Sequence, residues 1–398
     1  MGCVIAGGGP AGAMLALLLA RAGVEVTLLE KHGDFLRDFR GDTIHPSTLQ
    51  VLDELGLAGE FLQLPHRKAR SLSLVSDRGD IKLATLERLP GRFRYMAFVP
   101  QWDFLKLLTS AAGRYPGFRL LMNAEAYDLI REGGAVRGLR YRDGSGEHEI
   151  RAELTVAADG RHSVLREPAG LRAEELGAPM DVVWFRLPRH QDDRDDTFLR
   201  VSPPHMMVAI NRESYWQLAY LIRKGGYDEL TGQGIDALRR PVARLLPWLA
   251  DRVGQIEGFD DVSVLTVALN RLRRWHRPGF LCIGDSAHAM SPVFGVGINL
   301  AVQDAVAAAN LLAGALRSGA PIPESLLHRV QRRRMPPTRI TQAAQRLVQS
   351  RVITPALTRR LDPTRLPRDL TRIPVFKRVA PRFLGQGVLP EHVRVKEL

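Results

Sequence analysis

The chain has 398 residues, of which 45% are hydrophobic and 25% are charged, a length and composition typical of a globular protein with two or three domains. The sequence contains no run of 18 or more apolar residues, so it predicts no membrane-spanning helix. Its two isolated cysteines exclude a disulfide framework or a zinc motif. The net charge of +13 arises after residue 316, where 18 Lys and Arg accompany 5 Asp and Glu; no aromatic stacking pattern accompanies it, so nucleic-acid binding is not predicted.

The first thirty residues predict a βαβ unit with a glycine-rich turn. An apolar strand precedes the turn, an Ala- and Leu-rich helix follows it, and a second strand ends at Glu30. Gly7 would permit the tight turn, Gly9 the close approach of a pyrophosphate, and Gly12 the packing of helix on strand. Glu30 follows Gly12 by 18 positions, close to the roughly 20 expected for an acid that binds a ribose hydroxyl. The unit therefore predicts a dinucleotide site, with a glycine-rich turn of another α/β protein as the alternative.

The next part of the chain alternates short strands and helices, separated by turns rich in Gly, Asp and Ser. The last of its apolar runs ends on Asp159 and Gly160, which form a second candidate ligand motif at the end of a strand. We expect helices at residues 46–55 and 102–112, a hairpin at 71–84, an antiparallel meander at 118–151 and a buried strand at 154–158.

From residue 181 to 221 the sequence predicts successive antiparallel strands that carry many aromatic and Met side chains. Such a sheet would present a large apolar face, which suits a hydrophobic ligand. The alternative is that the same positions form only the core between the sheet and its helices. We expect the substrate wall at Trp184, Arg186, Met206, Asn211, Trp216 and Tyr220.

A third motif follows another buried strand, residues 279–283, which ends on Gly284 and Asp285. A glycine-rich loop then leads into an Ala-rich helix predicted over residues 298–316. Asp285 alone could be the N-cap of a helix, and we read His288 as structural in preference to a catalytic base.

The last part of the chain is basic and rich in proline. Pro336 and Pro337 are expected to break one helical pattern into two helices, over residues 325–334 and 338–349. The basic segment after them is either a solvated surface or a contact for acidic lipid or another anionic partner. Cys3 and Cys282 lie in apolar runs and are expected to be core residues.

The three motifs, residues 7–12, 158–166 and 284–299, each follow an apolar strand and precede a helix, where ligands bind on an open α/β sheet. In combination they resemble the FAD-dependent aromatic hydroxylases of the para-hydroxybenzoate hydroxylase type, the group A flavoprotein monooxygenases, over residues 2–337. The resemblance implies one non-covalently bound FAD, with NADH or NADPH as a transient electron donor.

The resemblance also implies the fold, which is α/β. A Rossmann-like FAD-binding domain would carry an inserted antiparallel β-sheet substrate domain and a C-terminal helical segment. We expect the FAD-binding domain at residues 1–70, 96–180 and 265–340, the substrate domain at 71–95 and 181–264, and the basic C-terminal segment at 341–398.

The family pattern assigns cofactor-binding roles, while no catalytic side chain and no metal ligand is assigned because the flavin performs the chemistry. Backbone N–H groups at a helix start would stabilise the anionic edge of a reduced flavin. The expected FAD residues are Gly7, Gly9, Pro10, Ala11, Gly12, Glu30, Lys31, Arg40, Gly41, Gln101, Asp159, Gly160, Gly284, Asp285, Pro292, Gly295, Gly297, Ile298 and Asn299.

The activity that the resemblance implies is hydroxylation of an aromatic substrate, phenolic or polycyclic. NAD(P)H would reduce FAD, reduced FAD would react with O2 to give a flavin hydroperoxide, and its distal oxygen would attack the ring. Two other classes stay open: another flavoenzyme on this fold, such as a halogenase or a lipid or isoprenoid double-bond reductase, and a non-catalytic flavin-binding regulator. We expect a cytoplasmic monomer or homodimer whose basic C-terminus is a candidate for peripheral membrane contact.

Overall fold

A computed structural model describes residues 2–36, 43–358 and 374–398 of the chain. Strands and helices alternate through the first part, and the later strands precede a helical end. The strands are β1 Cys3–Ala6, β2 Val26–Leu29, β3 Thr43–Ile44, β4 Arg67–Ala69, β5 Ser71–Ser76, β6 Gly79–Thr85, β7 Met96–Phe98, β8 Phe118–Leu121, β9 Glu125–Glu132, β10 Ala135–Asp143, β11 Gly146–Arg151, β12 Leu154–Ala157, β13 Ala173–Glu175, β14 Met180–Pro188, β15 Phe198–Ser202, β16 His205–Asn211, β17 Tyr215–Arg223, β18 Ser263–Leu265, β19 Asn270–Leu272, β20 His276–Arg277 and β21 Phe280–Cys282.

The helices range from single turns to the 25-residue helix α8. They are α1 Pro10–Arg21, α2 Pro46–Glu54, α3 Ala58–Gln63, α4 Gln101–Ala112, α5 Tyr227–Gly232, α6 Asp236–Leu245, α7 Gly297–Arg317, α8 Glu324–Val348, α9 Thr354–Leu357 and α10 Pro374–Gly385. Short 3₁₀ turns occupy Pro247–Leu249, Val253–Gln255, Phe259–Asp261, Gly284–Ser286 and Val293–Gly295, and a π-helical turn, Gln349–Ile353, continues α8.

The first sheet has the strand order β20-β21-β12-β1-β2-β8 and is parallel except for β20. Ile5 of β1 lies between Val156 of β12 and Leu28 of β2, and all three side chains are buried. Continuous apolar strands of this kind require helices on both faces of the sheet. Helices α1 and α7 contribute buried faces to the same core. The βαβ unit and the parallel sheet that the sequence predicted are therefore confirmed.

The second sheet has the order β18-β14-β17-β16-β15-β5-β6 and is antiparallel except for the β15–β5 pair. One of its faces packs against Leu238 and Val242 of α6 and neighbouring turns. The other face packs against Ile353 in the π-helical turn and Ala356 in α9. The sheet therefore has a helix-covered outer face and an inner face toward the end of α8. The hairpin at 71–84 and the antiparallel strands after residue 181 are both confirmed.

Two local predictions are wrong. Residues 118–121 form β8 at the edge of the parallel sheet, so only β9, β10 and β11 make the antiparallel meander. Pro336 and Pro337 lie inside one continuous helix, α8, instead of dividing two. Because a proline nitrogen carries no hydrogen, Pro336 and Pro337 remove two backbone donors from the helix. Buried side chains such as Arg334 and Thr338 nevertheless hold the helix in place on both sides of the prolines. Tertiary packing outweighs the local cost.

After α10 the chain runs back over the first sheet and its helices as a segment that we call the C-terminal strap, residues 388–398. Glu391 is buried and accepts a hydrogen bond from Arg333 Nε at 2.6 Å. The backbone N–H of Val393 donates to Glu54, and the backbone oxygen of Val395 accepts from Arg21 at 3.2 Å. The strap therefore ties α1, α2 and α8 together.

The stretch Val293–Arg317 is long and apolar enough to cross a membrane, but 83% of its most apolar window is buried inside the protein. Most of this stretch is α7, which packs beside α1 in the main core. Its apolar composition follows from that central position. Cys3 and Cys282 are fully buried in the same core, as the sequence predicted.

Candidate active site

The glycine-rich turn after β1 has the close contacts that exclude larger side chains. Gly7 has φ +103°, and a Cβ added there would lie 2.4 Å from the oxygen of Ala158. A Cβ on Gly12 would lie 2.0 Å from the oxygen of Gly7. By contrast, apart from the chain neighbours of Gly9, no described residue has a heavy atom within 4 Å of the position of a Cβ on Gly9, directly before Pro10 and the first turn of α1. The turn is therefore closed toward the sheet and open at the helix N-terminus, where backbone N–H groups bind anions.

Glu30 lies at the end of β2 with a buried side chain that faces the turn. Its carboxylate accepts hydrogen bonds from the backbone N–H groups of Gly8 and His32, both at 3.1 Å. The acid that the spacing singled out is therefore held beside the glycines, and the exposed Lys31 follows it. This arrangement fits a ribose next to a pyrophosphate.

Asp159 follows β12 and is half-buried. One carboxylate oxygen accepts backbone N–H groups of Val164 at 3.0 Å and Leu165 at 3.4 Å, while Oδ1 has no partner among the described residues. Burial raises the pKa of Asp159 above its ordinary value. Gly160 has φ +87° and open space where a Cβ would be. An unpartnered oxygen beside open space fits a ligand hydroxyl.

Gly284 and Asp285 bring the third motif to the first two. Gly284 has φ +60°, and a Cβ there would lie 2.9 Å from the Cβ of Ala11 in α1. Asp285 Oδ2 lies 3.5 Å from Arg161 Nη2 of the second motif. The three motifs, far apart in sequence, therefore meet at the carboxyl ends of β1, β12 and β21.

The loop Pro292–Gly297, which we call the flavin loop after the role that the sequence predicts for it, leads into α7. Phe294 has φ +72°, an uncommon value for a bulky residue, and Gly295 follows with φ +62°. Gly297 begins α7, and among the described residues no atom outside its chain neighbours lies within 4 Å of the position of a Cβ there, so no side chain of the described residues covers the first N–H groups of the helix at this point. Strained backbone of this kind clusters at ligand sites.

The side chain of Asn299 bonds to other parts of the protein, whereas the role that the sequence predicts for this residue belongs to its backbone N–H. Its Oδ1 accepts hydrogen bonds from the backbone N–H of His45 at 2.9 Å and from Thr48 Oγ1 at 2.6 Å. Its Nδ2 donates to the oxygen of Thr43 at 3.2 Å. The side chain therefore ties α7 to the segment before α2, and only its backbone N–H is available for the role predicted from sequence.

Two other expected cofactor residues have less definite surroundings. Gln101 begins α4 directly after Pro100 and is half-buried, so its role stays a prediction. Arg40 and Gly41 lie outside the described residues.

The expected substrate residues divide between the two faces of the second sheet. Trp184 and Met206 belong to the inner face, where Val293 of the flavin loop packs against the same apolar cluster, and Arg186 follows Trp184 by two positions on its strand. The indole N–H of Trp184 is buried without an acceptor among the described residues. Trp184 and Met206 therefore share a cluster with Val293, and the role of these side chains as substrate residues stays a prediction.

The other half of the set requires a correction. Trp216 is fully buried on the outer face, where its indole N–H donates to Asp193 at 2.9 Å. Tyr220 is on the same face with its hydroxyl 2.7 Å from His205 Nδ1, and burial raises its pKa to about 12. Asn211 is fully buried and donates to the oxygen of Asp195. Period-two alternation along β16 and β17 turns these three side chains away from the flavin loop.

A buried charge cluster behind the site was missed by sequence reasoning. Asp304 of α7 accepts hydrogen bonds from the backbone N–H of Gly284 at 3.1 Å, from His288 Nε2 at 2.6 Å and from Arg334 Nε at 2.9 Å. All three side chains are at most 1% exposed. Burial alone would raise the pKa of Asp304, but His288 and Arg334 lower it below its ordinary value. His288 is structural, as we expected, because it anchors the third motif to α7.

Several known proteins are similar to this chain in sequence or in fold. The model of the FAD binding domain family matches residues 2–345. The 6-methylpretetramide 4-monooxygenase of Streptomyces rimosus is 35% identical over 360 residues, covering 88% of this chain and 84% of that protein. The crystal structure of PqsL, a probable FAD-dependent monooxygenase from Pseudomonas aeruginosa, superimposes with a TM-score of 0.75 at 22% identity over 90% of this chain and 96% of that one. The flavin-dependent brominase Bmp2 gives 0.75 at 18% identity over 96% and 93%. The structures of PqsL and Bmp2 therefore have the same fold as this chain.

We predict that Asp304→Asn lowers the free energy of unfolding by about 3 kcal/mol at pH 7, because Arg334 loses its buried charged partner. The lowered pKa of Asp304 means that its contribution is present above the ordinary carboxyl pKa and disappears as the pH falls through the folded-state value. The difference from the unsubstituted protein should therefore stay constant down to about pH 4 and shrink below it.

Urea unfolding between pH 3 and pH 8 measures this difference. Asp236→Asn is the matched control, because the Asp236 side chain is 56% exposed and its ion pairs with Arg239 and Arg240 lie at the surface. It should change stability by less than about 0.5 kcal/mol. Equal effects of the two substitutions would show that Asp304 does not form the buried pair.

Proposed function

Because the chain belongs to the FAD-binding family of flavin-dependent aromatic monooxygenases, we propose that it hydroxylates a polycyclic phenol. The enzyme binds FAD non-covalently and takes two electrons from NADH or NADPH. One atom of O2 enters the aromatic ring, and the other leaves as water with the two electrons and two protons, one from the hydride of NAD(P)H and one from solvent. FAD, when bound, supplies the oxygen activation, while the protein orients the substrate and excludes water.

We propose that the three converging motifs hold FAD along its length. The open N-terminus of α1 at Gly9 receives the pyrophosphate, and Glu30 accepts a hydrogen bond from the adenosine ribose. Asp159 and Gly160 lie beside the dinucleotide, and Asp285 accepts from the ribityl or pyrophosphate region. Backbone donors at Gly297 and Ile298 are directed at the flavin ring. Open space at Gly9, Gly160 and Gly297 supports this assignment, as does the Asp159 oxygen that has no partner among the described residues.

The observation that carries the substrate proposal is the apolar inner face opposite the flavin loop. Trp184 and Met206 supply flat and flexible apolar surface, while Arg186 adds a positive charge at the end of the row. We also propose that residues 71–95 and 181–264 form the substrate domain, because β5, β6 and the strands from β14 to β17 share one sheet. The relative from S. rimosus is named for 6-methylpretetramide, which makes that compound a natural first test.

We propose one macromolecular partner, an anionic lipid surface, and place the contact on α8 instead of the strap. The outward face of α8 and its π-helical extension carries Arg329, Arg332, Arg339, Arg346 and Arg351, and none of these forms an ion pair among the described residues. Ile340 and Leu347 lie between them and are 49% and 59% exposed. The polar groups of the strap, by contrast, form hydrogen bonds to other parts of the protein. Arginine beside acidic headgroups contributes about 1 kcal/mol per side chain. We place the enzyme in the cytoplasm, where NAD(P)H is available.

We predict that Asp285→Ala weakens FAD binding by roughly 10- to 100-fold, because a charged acceptor of a ligand hydroxyl contributes ~1.5–3 kcal/mol. Titration of the apoprotein with FAD, followed by quenching of flavin fluorescence, measures the dissociation constant. Asp236→Ala removes an exposed acid on α6 and should leave the constant unchanged. An unchanged constant for Asp285→Ala would contradict its assigned role.

We predict that polycyclic phenols stimulate NAD(P)H consumption more than single-ring phenols do. A panel from hydroxybenzoates to 6-methylpretetramide should be tested with ¹⁸O2, because mass spectrometry then shows one labelled oxygen in the product. Stimulation by single-ring benzoates alone would overturn the polycyclic assignment. A brominated or chlorinated product in the presence of halide would identify a halogenase, and FAD binding without turnover on the panel would favour a regulator.

We predict that the double substitution Arg339→Glu and Arg346→Glu abolishes co-sedimentation with vesicles that contain phosphatidylglycerol, without lowering turnover of a water-soluble phenol. Arg78→Glu with Arg88→Glu makes the same change of charge at exposed positions on another surface and should keep vesicle binding. Binding to neutral phosphatidylcholine vesicles should be absent in all forms. Failure of the unsubstituted protein to bind the anionic vesicles would overturn the contact.

A further inference from the structure

The inner face of α8 and of the π-helical turn that continues it carries three glutamines at helical spacing, Gln342, Gln345 and Gln349, which we call the glutamine ladder. All three are at most 3% exposed. Positions three and four apart lie on one side of a helix, so the three amides share one face. This face is turned toward the segment Ala289–Val293, which leads into the flavin loop. Long polar side chains in such a position are costly unless every polar atom is paired.

The ladder bonds to the backbone of this segment. Gln345 Nε2 donates to the oxygens of Ser291 and Val293, both at 2.9 Å, and its Oε1 accepts the N–H of Ser291 at 3.3 Å. Gln349 Nε2 donates to Ser291 Oγ at 2.9 Å. One turn earlier, Gln342 Nε2 donates to the oxygen of Ala289 at 3.3 Å. Five hydrogen bonds therefore join α8 to a stretch of five residues.

The segment needs these partners because its residues 289–292 form no helix or strand. Its backbone is buried at Ser291, and a buried backbone group without a partner costs as much as a lost hydrogen bond. Immediately after it, Phe294 and Gly295 take consecutive positive φ angles of 72° and 62°. A strained loop persists only where its surroundings over-determine it. The ladder supplies that constraint from one side.

We propose that Gln345, supported by Gln349, is a positioning residue for the monooxygenase reaction. It sets the position of the flavin loop and thereby the direction of the backbone donors at the start of α7 toward the flavin ring. This inference rests on the proposed assignment of that loop to the flavin. Donors in register with the N1–C2=O edge favour the anionic reduced flavin, so loss of the ladder should lower the flavin reduction potential.

Gln345→Met tests the role, because Met has a similar length and no amide. We expect the variant to bind FAD with a shifted visible absorption spectrum and a lower midpoint potential. Product formed per NAD(P)H consumed should fall, and the hydroxylation rate should drop by up to roughly 100-fold, the effect of a misplacement of ~1 Å. The KM for NAD(P)H should change much less than the rate.

Gln331→Met is the matched control on the same helix. Gln331 also bonds backbone, accepting from the N–H of Trp275 at 3.0 Å and donating to the oxygen of Arg273 at 2.8 Å, but it does not contact the flavin loop. The Gln331→Met substitution should lower the melting temperature. It should leave unchanged the flavin spectrum, the midpoint potential and the coupling, by which we mean the product formed per NAD(P)H consumed. Restoration of coupling by Gln345→Glu only at acidic pH, where a protonated carboxyl can donate, would add support.

A Gln345→Met protein with lower stability but an unchanged flavin spectrum, potential and coupling would overturn the positioning role. If this variant does not fold, Gln349→Met, which removes a single bond to Ser291, decides by the same three measurements. An unsubstituted protein that binds no FAD would instead overturn the cofactor site, so the two failures are distinguishable.

Discussion

The fold of the site depends on one buried carboxylate, that of Asp304. It lies on the long core helix α7 and holds the strand end at Gly284, the imidazole of His288 and the guanidinium of Arg334. Through these contacts one side chain fixes the third motif, the helix that begins at the flavin loop, and α8 in a single arrangement. A charge buried in this way is tolerated only because its partners satisfy it, and each partner in turn needs the carboxylate. Accurate placement of the flavin loop therefore begins behind the site.

Much of the fold could be predicted from the sequence, because its signals are local. Glycines at 7, 9 and 12, an acid at the next strand end and alternating aromatic strands each predict their own geometry. Asp304, Arg334 and the glutamine ladder carry no such signal, since their function exists only when α7, α8 and the third motif have met. The face of Trp216 was also missed: the sheet was predicted, but both of its faces are apolar, so composition did not show which one is turned to the flavin loop.

Helix α8 brings together features that the sequence kept apart. Its inner face holds Arg334 and the glutamines, and its outer face presents arginines that form no ion pair with any described residue. The two prolines in its middle do not interrupt it, because the inner face is fixed before and after them. The same helix therefore contacts the flavin loop on one side and presents a basic surface on the other.

The C-terminal strap has a consequence for the balance of charge inside the protein. Everything that it binds, from Arg21 in α1 to Arg333 in α8, precedes it in the chain. The carboxylate of Glu391 lies 2.6 Å from Arg333 Nε and 3.8 Å from Arg334 Nη1 at the centre of α8. The buried guanidinium of Arg334 therefore has two acid partners, Asp304 from the core helix and Glu391 from the strap. A buried charge needs such partners, so the strap completes the neutralisation of the cluster behind the third motif.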